Sequence, residues 1–158
     1  MYDLKDGAMD IHNNSVGGKL NRLSEGIIGA GIAVHRELGP GLLESAYEAC
    51  LEYELIYSGH KVERQLTLPV IYRDVRVDAG FRIDLLVDEA VIIEVKSVAK
   101  LEDVHSAQLL TYLRLTKLHL GLLMNFNVKR LIDGVKRLVH EFPDDSSTAS
   151  NELSGIKY

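Results

Sequence analysis

The stretch from Ile83 to Val95 constrains the fold of this chain more than any other. Ile83, Leu85 and Val87 alternate along the chain, and after the short turn Asp88-Glu89-Ala90 the alternation resumes with Val91, Ile93 and Val95. A period of two on either side of a tight turn defines an antiparallel hairpin. A three-residue turn pairs Val87 with Val91 and puts all six apolar residues on one face. Leu86 then lies opposite Ile92, Asp84 opposite Glu94, and Arg82 opposite Lys96 on the other face. A two-residue turn would place Asp84 and Glu94 on opposite faces and mix charge into the apolar set, so the hydrophobic pattern selects the first register. The run Val91-Ile92-Ile93 reads as a central strand, where charged residues need partners.

The elements around the hairpin follow from the same kind of pattern. Leu23, Ile27, Ile28, Ile32, Val34 and Leu38 recur with helical spacing until Gly39-Pro40-Gly41 stops the helix. A second helix carries the apolar stripe Leu43, Tyr47, Cys50, Leu51 and Leu55, with Gly59 placed to cap its end. Lys61 to Tyr72 alternates as a strand, and Pro69 marks it as an edge. Further strands fall near 77–87 and 91–97. Residues 103–117 form a helix that is apolar nearly all round, which predicts burial on several sides, and a strand follows at about 119–125. Residues 128–140 carry no clear pattern. The order is ααβββαβ, with residues 20–142 as one folded domain between two Gly/Asn/Ser-rich tails, 1–19 and 143–158, expected to be mobile.

Composition excludes several classes. A chain of 158 residues with 46% hydrophobic content is long enough for an ordinary core. It has no run of the ~18 apolar residues that span a bilayer and no secretory signal pattern, so a cytoplasmic protein without membrane partners is expected. The single cysteine, Cys50, forms no internal disulfide, and no Cys/His cluster exists for structural zinc. A net charge of −5 argues against nonspecific coating of nucleic acid, though not against a focused site.

Two carboxylates facing each other across a rung repel, at a cost of roughly 0.2–1 kcal/mol in sheets. A divalent cation relieves this, and oxygen-only ligation suits Mg²⁺ or Mn²⁺, which keep waters and recruit phosphate oxygens. Lys96, ~6–7 Å further along the same face, can orient water or offset charge developing on a phosphorane. Asp84, Glu94 and Lys96 thus form a phosphodiesterase constellation. A solvated strand face would carry the same residue types without function; the central position of the strand separates the two readings.

The D-x₉-E-x-K arrangement of Asp84, Glu94 and Lys96 on the second and third strands of an αβββαβ core resembles the PD-(D/E)-x-K nuclease superfamily. Gly41-Leu42-Leu43-Glu44-Ser45-Ala46-Tyr47 further resembles the family named for its G-x-x-E-x-x-Y signature. The segments GAGIAVHRELGPGLLESAYE, GFRIDLLV, IIEVKSV and HSAQLLTYL extend the likeness over about residues 22–140. Ile83 stands where the superfamily's name has proline, a departure that removes no ligand. The resemblance implies an α/β, restriction-endonuclease-like three-layer core with a mixed central sheet flanked by helices. It also implies a metal-dependent nuclease acting on nucleic acid, DNA before RNA, with Glu44 as a third acidic group beside Asp84 and Glu94.

Glu44 also has a structural reason to be where it is, since the first turn of a helix favours a carboxylate by about 0.3–1 kcal/mol. It borders the stripe of Tyr47, Leu51 and Leu55 and so can face the hairpin. Tyr47 reads as a packing residue with a hydrogen-bonded hydroxyl. Gln108 and Tyr112 match a Q-x-x-x-Y element found in several nucleases of the superfamily, and His105 shares their helix face. Gln108 is expected to support the catalytic lysine or contact a phosphate, while His105 is equally explained as a capping residue. His35 is open to the same two readings. Gly29-Ala30-Gly31 has no preceding strand and reads as a close helix contact, not a nucleotide loop. Lys129, Arg130, Lys136 and Arg137 can touch a nucleic-acid backbone or form a solvated face.

The leading expectation is a metal-dependent nuclease that hydrolyses phosphodiesters by activated-water attack. In it Asp84, Glu94 and Glu44 hold the ion, Lys96 assists and Gln108 supports. The rival is a catalytically silent nucleic-acid- or protein-binding module on the same fold. No recognition domain is attached, so specificity is expected from a homo-oligomer or a protein partner.

Overall fold

Ser15 opens the first helix: its side-chain oxygen accepts the Gly18 N–H at 3.0 Å and satisfies one of the donors a helix start leaves free. The computed structural model describes residues 14–143, and the expected tails over 1–13 and 144–158 lie outside the described residues. Helix α1 (Val16–Leu38) therefore begins before position 20, and it buries Leu20, Ile27, Ala30 and Val34. Then follow α2 (Glu44–Tyr57), β1 (Val62–Tyr72), β2 (Val75–Val87), β3 (Val91–Lys96), α3 (Asp103–Thr116), β4 (Leu120–Asn125), a 3₁₀ turn (Leu131–Gly134) and β5 (Val135–Val139). The sheet has five strands in the order β1-β2-β3-β4-β5, with β3 and β4 parallel and the other pairs antiparallel.

Three layers result, the restriction-endonuclease-like arrangement. Helices α1 and α2 cover one face, packing Ile27, Val34, Tyr47, Leu51 and Leu55 on Leu85, Val87, Val91, Ile93, Val95, Leu122 and Met124. Helix α3 covers the other with Leu109, Tyr112 and Leu113 on Ile83, Ile92 and Leu123. Only one side of α3 is buried, since Val104, Leu110 and Leu115 are exposed. The expectation of burial on several sides fails because no further layer among the described residues lies over this helix. Similarly, Leu43 is exposed and serves as the N-cap position of α2, outside its apolar stripe. Residues 128–140, unassigned from the sequence, supply the 3₁₀ turn and the edge strand β5, whose short exposed run hides the strand period.

Val87 pairs with Val91, Leu86 with Ile92 and Leu85 with Ile93, which is the register selected by the hydrophobic pattern. The turn between them holds Asp88 and Glu89 at φ of 50° and 57°. Asp88 is fixed there by Lys61 N–H and by His60 Nδ1, each at 2.8 Å, and Lys61 pairs with Glu89. One apolar assignment is corrected: Ile83 joins the α3 side, while Leu85 and Val87 join the α1/α2 side. The pleat is interrupted between them. Arg64 pairs with Leu85 and Leu66 with Ile83, but no Gln65–Asp84 pair lies between, and Gln65 has φ of 54°. Strand β1 is an edge, as Pro69 predicted, and its register shifts between Leu68 and Val70.

The stop after α1 is a built corner. Gly39 and Gly41 take φ of 67° and 105°, in the region that favours glycine. Tyr47, fully buried, donates to Gly39 O at 2.5 Å, accepts from Leu42 N–H at 3.1 Å and stacks on Phe126 with ring centres 4.5 Å apart. Its role is the packing one expected of it. Gly31 lies where an added Cβ would collide with Met124 and Leu131, which explains the small-residue run in α1 as a close contact. Tyr47→Phe keeps the ring but orphans both main-chain groups of the corner. It should cost about 1–3 kcal/mol in urea unfolding at unchanged m-value; a loss below a few tenths would show that the corner stands without the hydroxyl.

Candidate active site

The β2–β3 ladder of main-chain pairs ends at Leu85–Ile93, and at the next position side chains replace the main chain. Val95 N–H donates to Asp84 Oδ2 at 2.9 Å, and Asp84 N–H points to Glu94 Oε1 at 3.3 Å. The strands part here, and the two carboxyl groups occupy the gap. Glu94 is only 3% exposed. Burial, and next the charge of Asp84, pushes its carboxyl up to about 8. Burial also raises Asp84, against the pull of the Val95 N–H. Two acids forced together out of water share a proton unless a cation takes its place.

Lys96 is half-buried one pleat beyond Glu94, and its charge favours the ionised form of both acids. It makes no ion pair among the described residues. An open cleft of about 620 Å³ begins at Asp84 and is walled by Glu44, Ser45 and Glu48 of α2, by Arg64, Gln65 and Arg82 of the hairpin and by Ser97 after β3. Glu44 Oε1 accepts Ser97 N–H at 3.2 Å, and Ser97 Oγ donates to Leu42 O at 2.8 Å. The first turn of α2 is thereby tied to the end of β3, close enough for the Glu44 charge to raise Asp84.

Glu44 does not complete a three-carboxylate cage. Among the described residues no three His, Cys, Asp or Glu side chains group closely enough to hold an ion. The physical reason is its commitment to Ser97 N–H, on the cleft wall. Asp84, half-buried, and Glu94, buried, remain the pair whose chemistry suits a hard divalent cation: oxygen-only and mutually repelling.

On the α3 side, Tyr112 is buried, stacks on Phe81 at 4.7 Å between ring centres, and lies near enough that Glu94, after burial itself, raises its hydroxyl. Gln108 is exposed, and its amide donates to the Tyr112 hydroxyl at 2.8 Å. His105 Nδ1 accepts Glu102 N–H at 3.0 Å in the capping box of α3, the structural alternative weighed for it. His35 Nε2 donates to Val128 O at 2.8 Å.

Two cleft residues have no counterpart in the sequence reading. Glu48, 4% exposed, accepts Arg64 Nε at 2.8 Å and Gln65 Nε2 at 2.6 Å; the same amide also reaches Asp84 Oδ1 at 3.4 Å. Its signal was available, since Glu48 follows Glu44 by one helical turn and sits between the core residues Tyr47 and Leu51. Gln65 had no such signal, because its placement depends on the left-handed φ in β1.

The sequence profile of the PD-(D/E)XK nuclease superfamily matches residues 21–138. The chain belongs to the PD-(D/E)XK nuclease superfamily. No curated protein and no solved structure matches it. No helix of the described residues is long and apolar enough to cross a membrane. Asp84 of β2 and Glu94 and Lys96 of β3 lie within the matched residues, on adjacent strands at the point where the ladder opens.

Both acid shifts are upward. Between its ordinary value of 4.5 and about 8, Glu94 holds a proton in the folded, metal-free protein that the unfolded chain releases, so its contribution to stability is fully present below 4.5 and is lost as pH rises through about 8. In chelator-treated protein the melting temperature should therefore fall as pH rises through this window, and Glu94→Gln should flatten the fall. Parallel curves for wild type and variant would show that the slope originates elsewhere.

Proposed function

We propose that the protein is a divalent-metal-dependent nuclease of the G-x-x-E-x-x-Y family that hydrolyses phosphodiester bonds, DNA before RNA. The observation that carries this reading is the pair of half-buried Asp84, which lines an open cleft, and buried Glu94, with Lys96 next along β3 and without an ion pair among the described residues. Asp84 and Glu94 are the residues that would hold Mg²⁺ or Mn²⁺. Bound there, the ion supplies a Lewis acid for phosphoryl oxygens and lowers the pKa of attacking water.

The remaining roles belong to side chains of this chain. Lys96 lies where its ammonium offsets negative charge developing on the phosphoryl group. Glu44, on the facing wall and fixed by Ser97 N–H, has a second oxygen with which to orient the attacking water and accept its proton. Tyr112 closes the side of the acidic pair against α3, and Gln108 fixes its hydroxyl. Glu48, through Gln65, helps to hold Asp84 in place.

Ligand binding to the folded state alone stabilises it, by about 2.7 kcal/mol at one hundred times the dissociation constant. Mg²⁺ or Mn²⁺ should raise the melting temperature, and Asp84→Asn combined with Glu94→Gln should abolish the increment; equal shifts would place the ion elsewhere.

Cleavage of single-stranded, duplex and branched DNA and RNA with either metal should be seen for wild type. Lys96→Ala should retain nucleic-acid binding and lose ~10²–10³-fold in turnover, with Glu94→Gln inactive as a control for host nuclease. A pure wild type that binds these substrates and leaves all of them intact would establish the silent module instead.

A further inference from the structure

A second cavity has only cations as its charged lining. It measures about 310 Å³, and His35, Arg36, Lys129 and Arg130 line it together with aliphatic side chains of α1 and the 3₁₀ turn. Arg130 is paired with Asp133 at 2.9 and 3.0 Å. Arg36 and Lys129 are exposed and have no ion pair among the described residues.

The cavity lies at the same end of the sheet as the acidic pair. Strands β3 and β4 run parallel with Lys96 level with Asn125, and Phe126 N–H donates to Lys96 O at 2.9 Å. From Asn125 to Lys129 the chain spans at most about 14 Å. The bond from His35 Nε2 to Val128 O pins this segment to α1, beside Arg36. Ligands of open α/β sheets bind outside the carboxyl ends of parallel strands, which is where both cavities open.

We propose that this cavity is a phosphate subsite, in which Arg36 and Lys129 hold a backbone phosphate of the nucleic acid away from the one being cleaved. The proposal rests on the reading that nucleic acid is the substrate. Charge supports it: the protein carries a net −5, and in the cleft wall Glu44, Glu48 and Asp84 outnumber Arg64 and Arg82, so a polyanion gains from cations next to the cleft. Arg36 also balances the carboxyl-terminal dipole of α1, but Lys129 belongs to another segment and has no such duty. The other basic residues of the region are engaged. Lys136 donates to Ser106 Oγ at 2.8 Å, and Arg137 donates to Asn21 Oδ1 at 2.7 Å and lies over the Phe142 ring. The basic run read from the sequence is thus divided, and only its first half joins the cavity.

The test compares the full chain, its Arg36→Ala/Lys129→Ala variant and a Lys136→Ala/Arg137→Ala control. Binding of labelled single-stranded DNA is followed by anisotropy in chelator over a series of salt concentrations. Losing two phosphate contacts should weaken binding about tenfold and reduce the slope of log K against log salt by about 1.4, with melting temperature unchanged and the control close to wild type. With metal, the variant should raise KM for oligonucleotides and leave turnover of a small diester, bis(4-nitrophenyl) phosphate, unaffected. Wild-type affinity and slope in the variant would overturn the subsite, even if wild type cleaves. The expected binding loss in a protein that cleaves nothing would uphold the subsite and discard the nuclease reading. A loss confined to 5′-phosphorylated oligonucleotides would overturn the backbone assignment in favour of a terminal-phosphate site.

Discussion

The Asp84–Glu94 pair governs the architecture around it, because two acids placed in a strand pair at the centre of a sheet cannot be accommodated by ordinary ladder bonds. The main chain yields: pairing stops at Leu85–Ile93, Asp84 takes the Val95 N–H on its side chain, and Glu94 faces Asp84 N–H. Across the same level β1 gives up its rung at Gln65, with a left-handed φ of 54°. Interrupting the pleat sends Ile83 to the α3 core and leaves Leu85 in the α1/α2 core. The two hydrophobic layers therefore meet at the site.

The cleft wall opposite the pair is fixed by a second set of contacts, centred on the corner between α1 and α2. Tyr47 holds Gly39 O and Leu42 N–H, and Ser97 holds Leu42 O and Glu44. The start of α2 and the end of β3 are thus clamped to the same few main-chain atoms. One helical turn on, Glu48 gathers Arg64 and Gln65, and the glutamine amide reaches Asp84. No buried side-chain polar atom among the described residues lacks a hydrogen-bond partner. Polar networks of this kind stay ordered only when every member is satisfied, and the two groups flank the cleft from the α1–α2 corner to the acidic pair.

Charge is segregated along one end of the sheet. Three carboxylates, set against Arg64 and Arg82, wall the cleft beside β2 and β3, while past β4 the charged lining is Arg36, Lys129 and Arg130. A protein with a net charge of −5 does not attract polyanions as a whole. Local separation of sign is how such a surface can present acids to a metal and cations to phosphate within a short distance.

Much of this was legible in the sequence, and the reason lies in periodicity. Alternation through Leu85, Val87, Val91 and Ile93 dictated the hairpin register, since a slip of one residue would have turned charge into the core. The helix stop at Gly39-Pro40-Gly41 and the edge strand at Pro69 followed from backbone chemistry that those residues carry wherever they occur. What the chain alone did not determine depends on tertiary contacts. The crossing of Ile83 to the other layer arises from a rung lost between two strands, and the exposed flank of α3 from the absence of a further layer among the described residues. The partners of Glu48, Gln65 and Gln108 come from distant elements or from a broken pleat. A local pattern reports which face a residue prefers; which neighbours wait on that face is decided only when the layers close.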